Sequence, residues 1–265
     1  MSFDRKLVRS NRASAVCASV ALFSEAATLI CYRVAALLRG CPVRLLVLGC
    51  RDGLVVRELA SVLPGGSSVV QCDVSFDVLA GVKEGHLVVA DDEALPFKEA
   101  SFDFIVSNLS FHNVNGLVEV FAKIHSCLAE NGILIAATFG NGTLYEVKKA
   151  LMSAEAEKMR VVPRIQPFYT TSDMLAWLQL CGFSGLVADV HTIGISYSSF
   201  YDLFHDLKNM GEGNTLRRVY EPISRSDIEK AWNLYKRSIG MDGATSAPVQ
   251  FEIVMLKGNK QVFKR

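Results

Sequence analysis

The chain has 265 residues and a formal net charge of +1, from 28 basic and 27 acidic side chains. A chain of this length can bury one large core, and its balanced charge excludes the basic excess that is typical of nucleic-acid-binding proteins. Half of the residues are hydrophobic, which excludes intrinsic disorder and predicts an ordered globular protein.

The N-terminal segment 3–39 predicts one or two amphipathic helices. Residues 13–38 are the most apolar part of the chain, but Glu25 and Arg33 interrupt them, so no apolar run is long enough to span a membrane. The basic start could serve as a transit peptide, although Asp4 is unusual in one. We therefore predict a soluble chain without a transmembrane segment.

The seven cysteines are scattered along the chain without a CxxC pair, at positions 17, 31, 41, 50, 72, 127 and 181. This spacing fits neither a disulfide framework nor a zinc site, and it predicts buried thiols in a reducing compartment. We expect the cytoplasm, or the mitochondrial matrix if the source is eukaryotic.

Strand-like and helix-like segments alternate along the rest of the chain. Short runs of branched apolar residues without polar alternation are typical of buried parallel strands. Such runs predict strands at 43–48, 68–74, 86–92, 102–108, 132–139, 185–190 and 251–256. The sequence thus predicts an α/β fold: a doubly wound, mostly parallel seven-stranded sheet with helices on both faces and an antiparallel edge made by the last two strands.

We expect one domain over residues 1–265. Residues 1–40 would form a helical cap over a binding site, and residues 198–240 would form a helical insertion before the last strand. We find no internal repeat that would divide the chain further.

Glycines and acids follow the predicted strands at their carboxyl ends, where ligands bind in such sheets. Gly49 and Gly53 follow the first strand, Asp73 ends the second, and Asp91 and Asp92 end the third. An acid after the second strand can accept hydrogen bonds from ribose hydroxyls, and one after the third can accept from an adenine amino group. Glycines let the backbone approach a ligand closely, so the set predicts an adenosyl site.

Each of these residues also has an ordinary structural explanation. A glycine pair after a strand is commonly a tight turn, Asp73 could be a solvated acid, and Asp91 and Asp92 could cap a helix. Their position at successive strand ends on one edge of the sheet favours the ligand site. No GxxxxGK[ST] loop occurs, so a nucleoside triphosphate is not expected.

The stretch VVADDEALPFKEASFDFIVSNLSFHNVN at 88–115 resembles the type-11 subgroup of the class I S-adenosylmethionine-dependent methyltransferases. The blocks at 3–15, 138–151, 165–183 and 203–214 are similar to one narrower branch of that family. That branch contains a mitochondrial complex I assembly factor associated with arginine hydroxylation, and also malonyl-acyl-carrier-protein methyltransferases of biotin synthesis. The resemblance covers essentially the whole chain and implies a Rossmann-like methyltransferase fold.

The resemblance implies S-adenosylmethionine as the cofactor and a protein or acyl-carrier-protein substrate, with the complex I assembly type favoured over the malonyl-carrier type. It implies no metal and no nucleic-acid partner. Asp73 matches the ribose acid of the family, and Asp91 matches the acid on the adenine side, with Asp92 supplying a backbone contact. Asn108 begins the segment that lines the reactive face. The cofactor-binding residues implied in this way are Gly49, Cys50, Gly53, Asp73, Val74, Asp91, Asp92 and Asn108.

Two positions depart from the pattern of the family. Val47 stands where the family usually has an acid that anchors the cofactor's amino group, and losing that contact costs about 1.5–3 kcal/mol. Arg51 replaces the middle glycine; a positive φ there would cost about 1–2 kcal/mol. The Arg51 charge could oppose the sulfonium or pair with the ligand's carboxylate. We therefore predict a weakened pocket, and a non-catalytic assembly or binding protein is the alternative.

No residue is identified as catalytic, because methyl transfer depends mainly on alignment and exclusion of water. His112 is a candidate base or substrate contact, although a packed wall histidine is the more common explanation. Tyr145, Phe168 and Tyr197 could cover the substrate or simply pack a lid. The segment 207–218 could dock an acidic carrier or an assembly partner, and a helix end with surface charge explains it equally well.

Overall fold

The structure is a computed structural model that describes residues 2–15, 21–156, 163–216 and 222–261. Its helices are α1 (Arg5–Ala13), α2 (Ala21–Leu37), α3 (Leu54–Leu59), α4 (Phe76–Leu79), α5 (Leu117–Cys127), α6 (Tyr145–Glu155), α7 (Thr171–Leu180), α8 (Phe200–Asn209) and α9 (Arg225–Ser238). Its strands are β1 (Arg44–Leu48), β2 (Ser68–Asp73), β3 (His86–Val89), β4 (Phe102–Asn108), β5 (Leu128–Phe139), β6 (Phe183–Tyr197) and β7 (Ala247–Lys260).

The seven strands form one sheet in the order β3-β2-β1-β4-β5-β7-β6. Strands β1 to β5 pair in parallel, and β7 runs antiparallel to both β5 and β6. The strand order reverses between β1 and β4, which is the switch point where ligands bind in doubly wound sheets. The predicted fold class is confirmed, including the antiparallel edge.

The strand bounds differ most from prediction at the antiparallel edge. β6 covers fifteen residues, Phe183–Tyr197, where only 185–190 was predicted. Much of β6 is half-buried or exposed because it is an edge strand, so polar residues alternate with apolar ones and no continuous apolar run marks it. β3 ends at Val89, and the acids that follow it begin a short 3₁₀-helix instead of extending the strand.

Two hydrophobic clusters cover the two faces of the sheet. Leu45 and Val47 of β1 face a cluster formed with α2, α3, α6, α8 and α9. Leu46 and Leu48 face the opposite cluster, which includes α5 and α7. This alternation follows from the two-residue period of a strand. Val47, at the position of the family's acid, is therefore fully buried in apolar surroundings.

The two N-terminal helices lie in different environments. α1 lies beside the carboxyl ends of the strands, whereas α2 packs against α3 and the sheet. The predicted cap is thus divided between a helix at the site and a helix in the core. No helix in the described ranges is long and apolar enough to cross a membrane.

The described cysteines carry free thiols. Cys50, Cys72 and Cys127 are buried, and Cys31 and Cys181 are half-buried. Cys41 is exposed, so the prediction of a buried thiol is wrong there, because Cys41 lies in the loop before β1 and not in an element. Cys17 lies outside the described residues.

Two glycines after β5 fit against β7. A side chain at Gly140 or at Gly142 would overlap the carboxylate of Glu252. That carboxylate accepts a hydrogen bond from Gly142 N at 3.1 Å, and Gly140 N donates to the Glu252 carbonyl at 2.9 Å. The TFGNG turn and the middle of β7 are therefore fitted to each other across more than 100 residues of sequence.

Candidate cofactor site

The loop after β1 carries three residues with positive φ: Gly49 at 59°, Arg51 at 51° and Gly53 at 80°. A Cβ at Gly49 would come within 2.7 Å of Ser110 Cβ, so only glycine fits there. Cys50 N donates to Cys72 O at 3.1 Å, which attaches the loop to β2. Arg51 does adopt the left-handed conformation, at a cost of about 1–2 kcal/mol.

Asp73, at the end of β2, is 2% exposed and holds the same loop. Its Oδ2 accepts a hydrogen bond from Arg51 N at 3.2 Å, and its Oδ1 accepts from Ser75 N at 3.1 Å. Asp73, Val74, Gly49 and Asp92 line one narrow cleft. The structure thus brings together residues from three successive strand ends.

The two acids after β3 take different positions. Asp92 lines the cleft and accepts a hydrogen bond from Ser110 Oγ. Burial raises the pKa of Asp92, and the bond from Ser110 and the charge of Arg5 oppose that rise. Asp91 lies beside the cleft, where it caps the 3₁₀-helix through Glu93 N at 3.0 Å and accepts from Arg5 Nε at 3.0 Å. Its adenine contact stays a prediction.

α1 closes the cleft on its outer side. Its residues Arg5, Val8 and Arg12 face the cleft, which encloses only about 10 Å³. The helix is attached to the loop after α8, because Asp4 N donates to Thr215 O at 2.7 Å and Asn11 Nδ2 donates to Gly213 O at 3.2 Å. The cleft is therefore narrow in the described conformation and is walled by two arginines.

The loop after α8 places Glu212 in a buried cluster of charges. Its carboxylate accepts hydrogen bonds from Arg51 Nη2 and from Asn113 Nδ2 at 3.1 Å, and lies 2.7 Å from His112 Nε2. Burial alone would raise the pKa of Glu212, but the attraction of His112, Arg51 and Arg12 lowers it to about 2. Burial also lowers the pKa of Arg51 to about 10, assisted by Arg12 and opposed by Glu212.

The contacts of the Arg51 side chain show where its charge lies. Its Nη1 donates to Met210 O at 2.8 Å, and its guanidinium stacks over the Phe23 ring at 3.7 Å. The side chain therefore joins the glycine loop to the loop after α8, and both Nη groups are used by protein acceptors. In segment 207–218, Met210 and Thr215 are buried on either side of Glu212. Arg217 and Arg218 lie outside the described residues.

Several buried polar atoms at this edge of the sheet have no hydrogen-bond partner. They are Ser75 Oγ, Asn108 Oδ1, His112 Nδ1 and Arg12 Nη1. Unpartnered buried polar atoms are costly, so their concentration at the strand ends indicates a place for a polar ligand. Together with the acids and Gly49, these atoms fit a ligand that has an adenosyl part and a charged end.

A second cavity of about 200 Å³ lies on the other side of Glu212. This aromatic cavity is named for the four phenylalanines in its walls, Phe139, Phe168, Phe204 and Phe251; the polar residues of its walls include Gln166, Arg164 and Glu212. Glu212 bonds Asn113, which lines the cleft, so the two cavities share a polar wall. His112 is buried behind this wall, with its ring centroid 4.7 Å from that of Phe139.

The three aromatic residues that could cover the substrate, Tyr145, Phe168 and Tyr197, lie in three different places. Phe168 lines the aromatic cavity, whereas Tyr145 is 52% exposed and borders a different cavity near α9. Tyr197 is buried and donates a hydrogen bond to Asp206 at 2.7 Å, so it packs the helical insertion. In the described part of the chain, no three His, Cys, Asp or Glu side chains are placed to hold a metal ion.

Sequence reasoning missed Glu212, Arg5 and Arg12. A signal for the arginines exists, because Arg5, Val8 and Arg12 recur at helical spacing on one face of α1. No such signal marks Glu212, which lies in a loop and meets His112 across 100 residues of sequence.

Known proteins resemble this chain in sequence and in fold. A family model described as "Methyltransferase domain" matches residues 46–136. The human protein named arginine-hydroxylase NDUFAF5, mitochondrial, is 33% identical over 218 residues, which are 80% of this chain and 62% of the human protein. Its mouse counterpart is 32% identical over 244 residues, covering 90% of this chain and 70% of that protein. The chain thus spans less than two thirds of the human relative's length.

A malonyl-[acyl-carrier protein] O-methyltransferase from Methylococcus capsulatus is 28% identical over 221 residues, which are 80% of this chain and 78% of that protein. Among solved structures, a methyltransferase from Bacillus halodurans matches with a TM-score of 0.61 and 15% identity, covering 88% of this chain and 97% of its own, and so supports the fold alone. The chain therefore belongs to the S-adenosylmethionine-dependent methyltransferase family, in the branch that contains the NDUFAF5 proteins and the malonyl-carrier-protein methyltransferases.

Proposed function

We propose that this chain is an S-adenosylmethionine-dependent methyltransferase that acts on a protein or on a group bound to a carrier protein, of the respiratory complex I assembly type. One observation carries the proposal: a cleft with acids at two strand ends adjoins a cavity of about 200 Å³ that contains four phenylalanines, and Asn113 of the cleft bonds Glu212 of the cavity. A cofactor site and an acceptor site require this adjacency.

The bound cofactor would supply an activated methyl group, so the protein has mainly to align the two partners and exclude water. Asp73 and Asp92 would hold the adenosyl part together with Gly49, Val74 and the neighbouring Asp91. Cys50 and Gly53 would shape the loop through their backbones, and the unpartnered Oδ1 of Asn108 would face the reactive end. α1 would keep water out of the cleft.

His112 is held in one orientation by the ionised Glu212. If its Nε2–H donates to that carboxylate, its Nδ1 carries a lone pair, and Nδ1 has no partner in the structure. The imidazole could then accept a proton from an acceptor nucleophile that reaches it past Phe139 and Glu212, which line the aromatic cavity. We propose His112 for this role, with Glu212 as the residue that positions it.

The acceptor cavity favours an apolar or cationic side chain over a free carboxylate. Four phenylalanines line it, and aromatic faces bind apolar groups and cations. The cation at its edge, Arg164, is bonded to Glu155, with 3.0 Å between Arg164 Nε and Glu155 Oε2. A malonyl carboxylate would have to compete with Glu155, which favours a protein acceptor over a malonyl carrier protein.

A binding protein without turnover is the second candidate. The positive φ of Arg51 and the narrow cleft favour it, because both oppose cofactor entry. Hydroxylation of an arginine is the activity named for the human and mouse relatives, and it would need an oxidant as a further reactant. These relatives are also named as mitochondrial, and we propose the mitochondrial matrix for a eukaryotic source and the cytoplasm otherwise.

Calorimetric titration with S-adenosylmethionine and S-adenosylhomocysteine tests the cofactor site. We expect Asp73→Asn to weaken binding about tenfold to a hundredfold, because it removes a charge that hydrogen bonds from the ribose would use. Asp103→Asn, at a half-exposed acid far from the cleft, is the matched control and should bind normally. Thermal denaturation of both variants shows whether the loss is local.

Methyl-labelled cofactor then separates the candidate functions. The label should enter a protein of the source cells in the presence of the wild-type chain and not of Asp73→Asn. Transfer to malonylated carrier protein instead would favour the biotin-synthesis type. Cofactor binding without transfer to any acceptor would favour the binding protein, and absence of binding at millimolar ligand would contradict the proposed enzyme.

A further inference from the structure

Arg12 lies in the last turn of α1, on the helix face that it shares with Arg5 and Val8. It is only 4% exposed, and its side chain lines the cleft together with Gly49 and Asp73. A buried guanidinium stays protonated, so it requires an anionic or hydrogen-bonding partner instead of losing its charge.

The structure provides no such partner for one end of this group. Arg12 Nη1 has no hydrogen-bond partner. The carboxylates near it are used elsewhere: Asp73 accepts from two backbone N–H groups, and Asp92 accepts from Ser110 Oγ. Arg12 therefore presents a buried donor to the cleft.

The other two arginines of the site differ in this respect. Arg5 donates through Nη1 to Asn113 O at 2.5 Å and through Nη2 to Asp91. Arg51 donates through both Nη groups, to Met210 O and Glu212, and only its Nε has no partner. Both guanidiniums hold parts of the protein together, which leaves Arg12 as the candidate for binding a ligand.

We propose that Arg12 binds the α-carboxylate at the amino-acid end of the cofactor, an inference that rests on the proposed function. The sulfonium and the ammonium of S-adenosylmethionine are cations, which a guanidinium repels. The adenine amino group and the ribose hydroxyls are donors, which suit the acids of the cleft. The carboxylate is the one anionic group of that ligand, and guanidinium binds carboxylate in bidentate fashion.

This role explains how the chain can still bind the amino-acid end of the cofactor although Val47 replaces the acid of the family. At that position an acid would contact the ammonium, but Val47 is fully buried in the hydrophobic cluster of one sheet face. The arginine on α1 would replace that contact with one to the neighbouring carboxylate. The charge that anchors this end of the cofactor is thus a positive one on α1, where the family has a negative one on β1.

The turn of α1 that carries Arg12 is held in place without the ligand. Asn11 beside it donates to Gly213 O, and a Cβ at Gly211 would come within 2.9 Å of Asn11 O, so the loop after α8 packs tightly on this turn. Phe3 pairs with Leu216 through an isolated β-bridge at the other end of the helix. The backbone that carries Arg12 is therefore prepositioned at the cleft, which reduces the entropy that binding would cost.

Calorimetry with two ligands that differ only in the carboxylate tests the proposal: S-adenosylmethionine and decarboxylated S-adenosylmethionine. The wild-type chain should prefer the former about tenfold to a hundredfold, as expected for one charge-assisted contact. Arg12→Met should reduce this ratio to about one, chiefly by weakening S-adenosylmethionine binding. Arg12→Lys keeps the positive charge but cannot bind a carboxylate in bidentate fashion, so it should retain part of the preference.

Arg9→Met is the matched control, because Arg9 is exposed on the same helix, and its ratio should equal that of the wild type. If Arg12→Met does not fold, Arg12→Gln carries the same test with a polar side chain. An unchanged ratio in a folded Arg12 variant overturns the proposal. Wild-type chain that binds neither ligand, nor 5′-methylthioadenosine, which lacks the amino-acid end, would instead contradict the proposed function.

Discussion

The two N-terminal helices are neighbours in sequence and opposite in role. α1 is polar, and it contributes Arg5 and Arg12 to the wall of the cleft. α2 is apolar, and its Ala26, Ala27 and Ile30 are completely buried against the sheet. The segment that the sequence predicted to be one cap thus contains a helix of the core, α2, and a helix of the candidate site, α1. Protein stability and ligand binding can therefore be changed separately, by substitutions in α2 and in α1.

The largest effect is expected in α2. Ile30→Ala should lower the free energy of unfolding by about 2–5 kcal/mol, because it leaves a cavity beneath the sheet while removing buried methylene groups. Tyr32→Ala on the same helix removes a side chain that is 72% exposed and should change it by about 0.5 kcal/mol or less. Denaturant unfolding measures both. Equal losses in the two variants would show that α2 is not part of the core.

A second, smaller effect is expected from pH and concerns the charges under α1. The pKa of Glu212 is lowered from 4.5 to about 2 in the folded chain, so its carboxylate stabilises the fold above pH 4.5 and loses that contribution as the pH falls toward 2. The loss should be on the order of 3 kcal/mol or less. Unfolding measured across this window in the wild type and in Glu212→Gln should show a shallower pH dependence in the variant.

Asp242→Asn is the control for that measurement, because Asp242 is largely exposed. Its pH dependence should follow the wild type. A Glu212→Gln curve as steep as that of the wild type would mean that other acids cause the acid sensitivity.

The smallest effect on global stability is expected at Arg5. Arg5→Met removes a partly exposed ion pair with Asp91, which should cost about 1 kcal/mol or less. Its consequence should be local: amide hydrogens of α1 should exchange faster, while those of α2 stay protected. Arg44→Met removes a surface pair with Asp103 and is the control, which should leave α1 unchanged. Unaltered exchange in α1 after Arg5→Met would show that backbone contacts alone hold the helix.

The sequence predicted the parallel half of the sheet well, and for a physical reason. Strands such as β1 and β4 are buried on both faces, so their central residues, Leu45–Leu48 and Phe104–Val106, are apolar without interruption. β6 lacks this property because it is an edge strand, and most of its length could not be seen. The side chains of a strand alternate between the two faces of the sheet. This alternation puts Val47 in the hydrophobic cluster on one face.

The site was predictable where it depends on chain order. Gly49, Asp73 and Asp92 follow successive strands, and parallel pairing brings them to one edge. Glu212 was not predictable, since its position depends on how the loop after α8 folds back over β1 and β4. The ion pair between Arg51 and Glu212 was unpredictable for the same reason. From the sequence alone, the charge of Arg51 could therefore be taken to oppose the cofactor, although Glu212 neutralises it.

The position of β7 has a consequence for how the protein is made. β7 follows β6 in the chain but lies between β5 and β6, so β6 has no hydrogen bonds to the sheet until β7 is inserted. On the ribosome, β5 would expose an open, apolar edge throughout the synthesis of the next hundred residues. Nascent chains halted before β7 should therefore recruit chaperones and resist folding, and β6 should join the sheet only as β7 leaves the exit tunnel.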